Sequence, residues 1–130
     1  MYNNQMKNIL VVDDEQQILD LVSSFLEINF PDAYIVTATD GLEAYAECSK
    51  LKFDLIITDH KMPFCTGLEF IKKLRQVDNA NASIPIIVVS GFIPLIENEI
   101  STLDNLYYLD KPFAADRLIK YCKMTLNPIK

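Results

Sequence analysis

Glycine is scarce in this chain, with three residues in 130, and histidine occurs once. Neither a Gly-x-Gly-x-x-Gly turn nor a P-loop is present, which argues against a flavin or other nucleotide cofactor binder and against a hydrolase built on a phosphate-cradling loop. His60 has no second histidine or cysteine beside it and reads as a loop residue rather than a catalytic one. Cys48, Cys65 and Cys122 are odd in number, widely spaced and free of any Cys-x-x-Cys pair. They exclude a disulfide framework and a zinc site and are expected to be buried free thiols. Positive charge is also short: 12 Lys and Arg stand against 18 Asp and Glu, a net charge of −6, with no basic run. That balance disfavours a nucleic-acid partner. No apolar stretch approaches membrane-spanning length, and residues 1–5 lack the regions of a signal peptide. A cytoplasmic chain without a membrane partner is expected.

What the chain does contain is short, unbroken apolar runs. Half of its residues are hydrophobic, and the length suits one domain over residues 1–130 with a core at about 7–126. Ile9-Leu10-Val11-Val12, Phe53-Asp54-Leu55-Ile56-Ile57-Thr58 and Ile84-Pro85-Ile86-Ile87-Val88-Val89 have the composition of strands buried on both faces. Ala33 to Ala38 and Leu106 to Leu109 read as shorter strands, the first at a sheet edge. Between them lie helical patterns. Ile18, Leu21, Val22, Phe25 and Leu26 form one stripe, closed by Pro31. Leu42, Tyr45 and Ala46 give a thin inward face up to about Leu51 behind an Asp40 cap with Glu43. Phe70, Ile71, Leu74 and Val77 follow Gly67, and Ala115, Leu118, Ile119, Cys122 and Leu126 close the chain. Ile93, Ile96 and Ile100 suggest one further helix starting near Pro94. Residues 78–83 form a turn. Five alternations of strand and helix mean an α/β fold: a single doubly wound five-stranded parallel sheet in the flavodoxin-like order 2-1-3-4-5, with helices on both faces.

In that order Asp13 and Asp14, Asp59, Ser90 and Lys111 all fall at carboxyl ends of strands along one edge, where ligands collect in open α/β sheets. Taken singly, each suits a plain helix start, cap, turn or loop. Together they suit phosphoryl chemistry. Three gathered carboxylates call for a hard divalent cation, and Mg2+ prefers one or two carboxylates with phosphate oxygens. Lysine supplies a mobile positive charge, serine a hydroxyl and Asp59 a carboxylate nucleophile.

The pieces Val11-Val12-Asp13-Asp14-Glu15, Asp40-Gly41-Leu42-Glu43-Ala44, Asp54-Leu55-Ile56-Ile57-Thr58-Asp59 with Met62-Pro63 and Gly67, Val88-Val89-Ser90-Gly91 and Leu109-Asp110-Lys111-Pro112-Phe113 form a specific set. Over about residues 7 to 126 the chain resembles the receiver domain of bacterial two-component response regulators. The resemblance implies that Asp59 accepts a phosphoryl group from a histidine kinase or histidine phosphotransfer protein, as an acyl phosphate. Such a chain is no enzyme on other substrates; it catalyses its own phosphoryl transfer and dephosphorylation with Mg2+. The resemblance also implies that Asp14, Asp59 and the backbone carbonyl of Lys61 bind Mg2+, with Asp13 acting largely through water. Lys111 would hold the phosphoryl oxygens. Ser90 and Tyr108 would act as the switch, reshaping a partner-docking surface made by the helix near Pro94, the last strand and the final helix.

Ser90 stands where threonine is more frequent, which preserves the hydroxyl. Lys61 and Phe92, each two residues beyond a site residue, occupy places that in this family tune attack of water on the acyl phosphate, and their bulk is expected to slow it. Tyr107 beside Tyr108 is the competing ring, and spacing to Lys111 favours Tyr108. A stand-alone receiver is expected, monomeric or a weak dimer, that binds a downstream protein or relays phosphate. The alternatives are a phosphorylation-independent interaction module on the same fold, or a fragment of a larger regulator or hybrid kinase.

Overall fold

The apolar runs pair side by side into a five-stranded parallel sheet of order β2-β1-β3-β4-β5. The strands are β1 (Asn8–Val12), β2 (Tyr34–Ala38), β3 (Leu55–Asp59), β4 (Ile86–Ser90) and β5 (Leu106–Asp110). The computed structural model describes residues 6–76, 79–91 and 105–126. Four helices are found among the described residues: α1 (Gln16–Asn29), α2 (Gly41–Cys48), α3 (Gly67–Gln76) and α4 (Ala115–Leu126). The expected helix around Ile93, Ile96 and Ile100 lies outside the described residues, as do Val77 and Phe92.

Side chains alternate across the central strands, so each run feeds two cores. Leu10, Val12, Ile56, Ile86 and Val88 face α2 and α3, meeting Ala44, Phe70, Ile71 and Leu74. Ile9, Val11, Leu55, Ile57, Ile87, Val89 and Leu109 face α1 and α4, meeting Leu19, Val22, Leu26, Leu118 and Cys122. Burial on both faces is why β3 and β4 show no polar alternation. Each fully buried Leu or Ile contributes about 1.5–3 kcal/mol. The edge strand β2 is only partly covered, with Tyr34 and Thr37 exposed.

Two helix faces differ from expectation. On α1, Leu19 is buried and Leu21 is 45% exposed, because the face against the sheet runs through Leu19, Val22 and Leu26, three and four residues apart. On α2 the inner face is Gly41, Ala44 and Cys48, with Tyr45 half-buried, while Leu42 and Ala46 point to solvent. Small residues serve there because the helix start lies close to the β3–α3 loop: a Cβ on Gly41 would come within 2.6 Å of Cys65 Sγ. The helix stops at Cys48 rather than near Leu51. Its start is as expected, with the Glu43 N–H donating to Asp40 Oδ1 at 2.8 Å. Ala115 is half-buried, less enclosed than expected. The three cysteines are free and buried, and burial pushes the Cys48 and Cys122 thiols up to about 12.

The turn before β4 hides a polar anchor. Asn81 is fully buried: its Oδ1 accepts the Phe53 N–H at 2.7 Å, and its Nδ2 donates to the carbonyls of Cys48 and Leu51 at 2.8 and 2.9 Å. Asn81→Ala strands these three backbone groups and leaves a void. We expect a loss of about 3–4 kcal/mol in urea unfolding with the slope unchanged.

Candidate functional site

Parallel pairing brings the strand ends to one edge. Val12 pairs with Thr58, Asp59 with Val89, and Ser90 with Asp110, so Asp13, Asp59, Ser90 and Lys111 emerge on neighbouring strands. The Asp13 N–H donates to the Ala38 carbonyl at 3.1 Å and the Lys111 N–H to the Ser90 carbonyl at 3.2 Å, which carries the ladder into the loops.

The lysine reaches both buried acids. Lys111 Nζ lies 3.3 Å from Asp59 Oδ2 and 3.5 Å from Asp13 Oδ2. The remaining oxygens are held by local backbone: the Glu15 N–H donates to Asp13 Oδ1 at 2.9 Å and the His60 N–H to Asp59 Oδ1 at 2.8 Å. Asp14 completes the group, with one carboxylate oxygen from each of the three acids lying within 4.8 Å of the others. Asp13 and Asp59 are buried, whereas Asp14 is exposed.

Burial dominates the electrostatics. It raises the Asp13 and Asp59 carboxyls above their ordinary range, against the lowering pull of Lys111 and of their backbone hydrogen bonds. Val11, Ile57, Val89 and Phe113 line a small crevice together with the two acids. Burial acts to lower the Lys111 ammonium, but Asp59 and Asp13 together outweigh it and raise the pKa. Two buried anions and an exposed third, with the Lys111 ammonium beside the buried pair, form a donor set that fits an oxygen-seeking metal ion.

Since the folded-state pKa values of Asp13 and Asp59 exceed the unfolded value of 3.8, the native chain holds more protons than the unfolded chain through that range. Their contribution to stability therefore falls as pH rises from the unfolded value through the raised ones. Lys111 has the opposite charge type, and its contribution persists until pH passes its raised pKa. Without metal, Asp13→Asn, whose Oδ1 can still accept from Glu15, should melt a few degrees above the native chain at pH 7. Melts in chelator from pH 4 to 8 should show that gap closing as pH falls.

The loop after β3 is closed by α3. Thr66 and Glu69 form a reciprocal capping box: the Glu69 N–H donates to Thr66 Oγ1 at 3.1 Å, and the Thr66 N–H to Glu69 Oε1 at 2.8 Å. That second bond lowers the Glu69 pKa. The Thr-x-x-Glu spacing is visible in the sequence and marks the helix start one residue before Gly67. Phe64, at the loop tip, has φ +68° and is 85% exposed.

Of the remaining expected residues, Ser90 is buried at the end of β4 and Lys61 is exposed on the loop. Tyr108 is 39% exposed, whereas Tyr107 is half-buried with its ring 6.2 Å from that of Tyr121. Phe92 is outside the described residues. No helix among the described residues is long and apolar enough to cross a membrane.

With the sheet order and the acid–lysine cluster in place, the response regulator receiver domain family matches residues 9–123, and the chain belongs to that family. Receiver domains are the phosphoacceptors of two-component response regulators. Among its relatives is the alkaline phosphatase synthesis transcriptional regulatory protein PhoP of Bacillus subtilis, 36% identical over 112 residues, covering 83% of this chain and 43% of PhoP. Another is the DNA-binding dual master transcriptional regulator RpaA of Synechocystis, 33% identical over 124 residues, covering 94% of this chain and 50% of RpaA. The chain thus spans about half the length of these curated relatives. Among solved structures, the chemotaxis response regulator CheY4 of Vibrio cholerae superposes with a TM-score of 0.82 at 33% identity, covering 94% of this chain and all of CheY4.

Proposed function

We propose that Asp59 is the phosphoacceptor, and that a histidine kinase or histidine phosphotransfer protein is the donor. The observation that carries this reading is the approach of Lys111 Nζ to Asp59 and Asp13 inside a cluster of three acids. An oxygen of the Asp59 carboxylate attacks phosphorus; the P–N bond to the donor imidazole breaks as the P–O bond forms, and the imidazole takes a proton from solvent. Lys111 pairs with the incoming phosphoryl oxygens, which replace part of its contact with Asp13. Ser90 donates its hydroxyl to another of those oxygens. Asp14, Asp59 and the Lys61 carbonyl, with Asp13 through water, would hold Mg2+, which would supply charge neutralisation for the transferring group.

The same reading makes Ser90 and Tyr108 the switch. The exposed Tyr108 ring turns inward once Ser90 has moved toward the phosphoryl group, and a docking surface for a downstream protein changes with it. Lys61, exposed on the loop after β3, slows hydrolysis of the acyl phosphate by crowding the attacking water; Phe92, expected to share that role, lies outside the described residues. The domain, over residues 7–126, works in the cytoplasm as a monomer or weak dimer, without nucleic acid or membrane. The assembled acidic cluster does not favour a phosphorylation-independent interaction module.

Acetyl phosphate with Mg2+ tests the central step. Intact-protein mass spectra should gain one phosphoryl group in Mg2+ and none in chelator. Equal spectra in the two conditions would remove the reading.

A further inference from the structure

Polar atoms of His60 tie it to its surroundings in two directions. Its backbone N–H donates to Asp59 Oδ1 at 2.8 Å. Its carbonyl accepts the Gly67 N–H at 2.8 Å, and its ring Nδ1 accepts the Leu68 N–H at 3.3 Å. Gly67 and Leu68 are the first two residues of α3. A helix leaves its first N–H groups without partners inside the helix. Here the first two end on His60 and the third on Thr66 Oγ1. A ring nitrogen that accepts carries no proton, so the neutral ring holds its proton on Nε2.

Resting on the phosphoacceptor reading above, we propose that His60 is a positioning residue for Asp59. Its ring and carbonyl clamp the peptide that follows the acceptor to the start of α3. The N–H of that peptide then holds Asp59 Oδ1 in place while Oδ2 stays on the side of Lys111, 3.3 Å away. The two carboxylate oxygens are thereby given different tasks before any donor arrives. Loss of the ring acceptor leaves the N–H of the buried Leu68 without its bond and lets the peptide and the carboxylate turn together. Small losses of orientation at a nucleophile are expensive in rate.

The test uses the whole chain and two replacements. His60→Phe keeps a flat ring with no acceptor. His60→Asn puts an amide oxygen close to the position of Nδ1. Phosphorylation is followed by mass at saturating Mg2+ over a series of acetyl phosphate concentrations, with thermal melts to establish folding and amide exchange read at Leu68. For His60→Phe the limiting rate should fall about tenfold. Its half-saturating donor concentration should stay put, and Leu68 should exchange faster. His60→Asn should restore both the limiting rate and the protection. A residue that served folding alone would lower the melting temperature without moving the limiting rate. A His60→Phe rate equal to native, or a His60→Asn rate as low as that of His60→Phe, would overturn the proposal. Should the Phe variant not fold, His60→Gln, which carries its acceptor one bond further out, takes its place with the same two outcomes. Absence of any adduct on the native chain would instead remove the phosphoacceptor reading, and this proposal with it.

Discussion

Asp59→Asn should take up no phosphoryl group from acetyl phosphate and Mg2+, a fall of more than roughly 10³-fold in rate, and should fold at least as well as the native chain. Both halves follow from the same surroundings. The carboxylate sits at the end of β3, 6% exposed, and burial raises its pKa although Lys111 is close by. The ionised form is thus the less comfortable one in the folded chain. A neutral amide of the same shape removes that discomfort, keeps an oxygen for the His60 N–H, and leaves Lys111 with Asp13 at 3.5 Å. The amide is too poor a nucleophile toward phosphorus to form the acyl phosphate. Mass spectra and melts of the two proteins, side by side in chelator and in Mg2+, measure both quantities. A stable variant that still gains a phosphoryl group would move the acceptor elsewhere.

Gly67→Ala should be the most damaging of the three glycine-to-alanine changes. The glycine has no positive φ, so its need for a bare Cα comes from crowding alone. A Cβ built there would overlap the carbonyl oxygen of Asp59 and come within 2.9 Å of His60 Cα. Both neighbours are backbone, and a backbone gives way only by moving Asp59 or the start of α3. The Gly67 N–H to His60 carbonyl bond, 2.8 Å long, goes with either shift. A loss of about 3 kcal/mol or more in stability is expected, together with a lower phosphorylation rate in whatever fraction remains folded. Urea unfolding and single-turnover labelling read the two effects separately. An alanine variant equal to native in both would mean that the loop relaxes freely.

The sheet and the site were legible because the same residues announce both. Asp13, Asp59, Ser90 and Lys111 each follow an apolar run, and parallel strands of similar length put such endings side by side. The groups that went unread depend on distances along the chain that no local pattern records. Asn81 sits in a stretch with the composition of a solvated turn, yet its partners Phe53 and Cys48 are 28 and 33 residues away. On α2 hydrophobicity points to Leu42, Tyr45 and Ala46 as the inner face, yet Leu42 and Ala46 face solvent. Close packing against Cys65 selects small residues instead. Gly67 reads as the start of a helix, and its type does not show that it is also the point where that helix and the end of β3 nearly touch. His60 reads as a loop residue for want of metal-binding neighbours, and its ring works through a backbone N–H eight residues on. The Thr66–Glu69 box, by contrast, was present as a spacing.

Phosphoryl transfer to the Asp59 carboxylate, and to no other side chain, is tested most directly by locating the acyl phosphate. Borohydride reduces an acyl phosphate of aspartate to homoserine, and peptide sequencing by mass spectrometry then locates it. After phosphorylation with acetyl phosphate and Mg2+, homoserine is expected at position 59 alone. Homoserine at Asp13 or Asp14, or a stable phosphoryl group recovered on His60 instead, would contradict it.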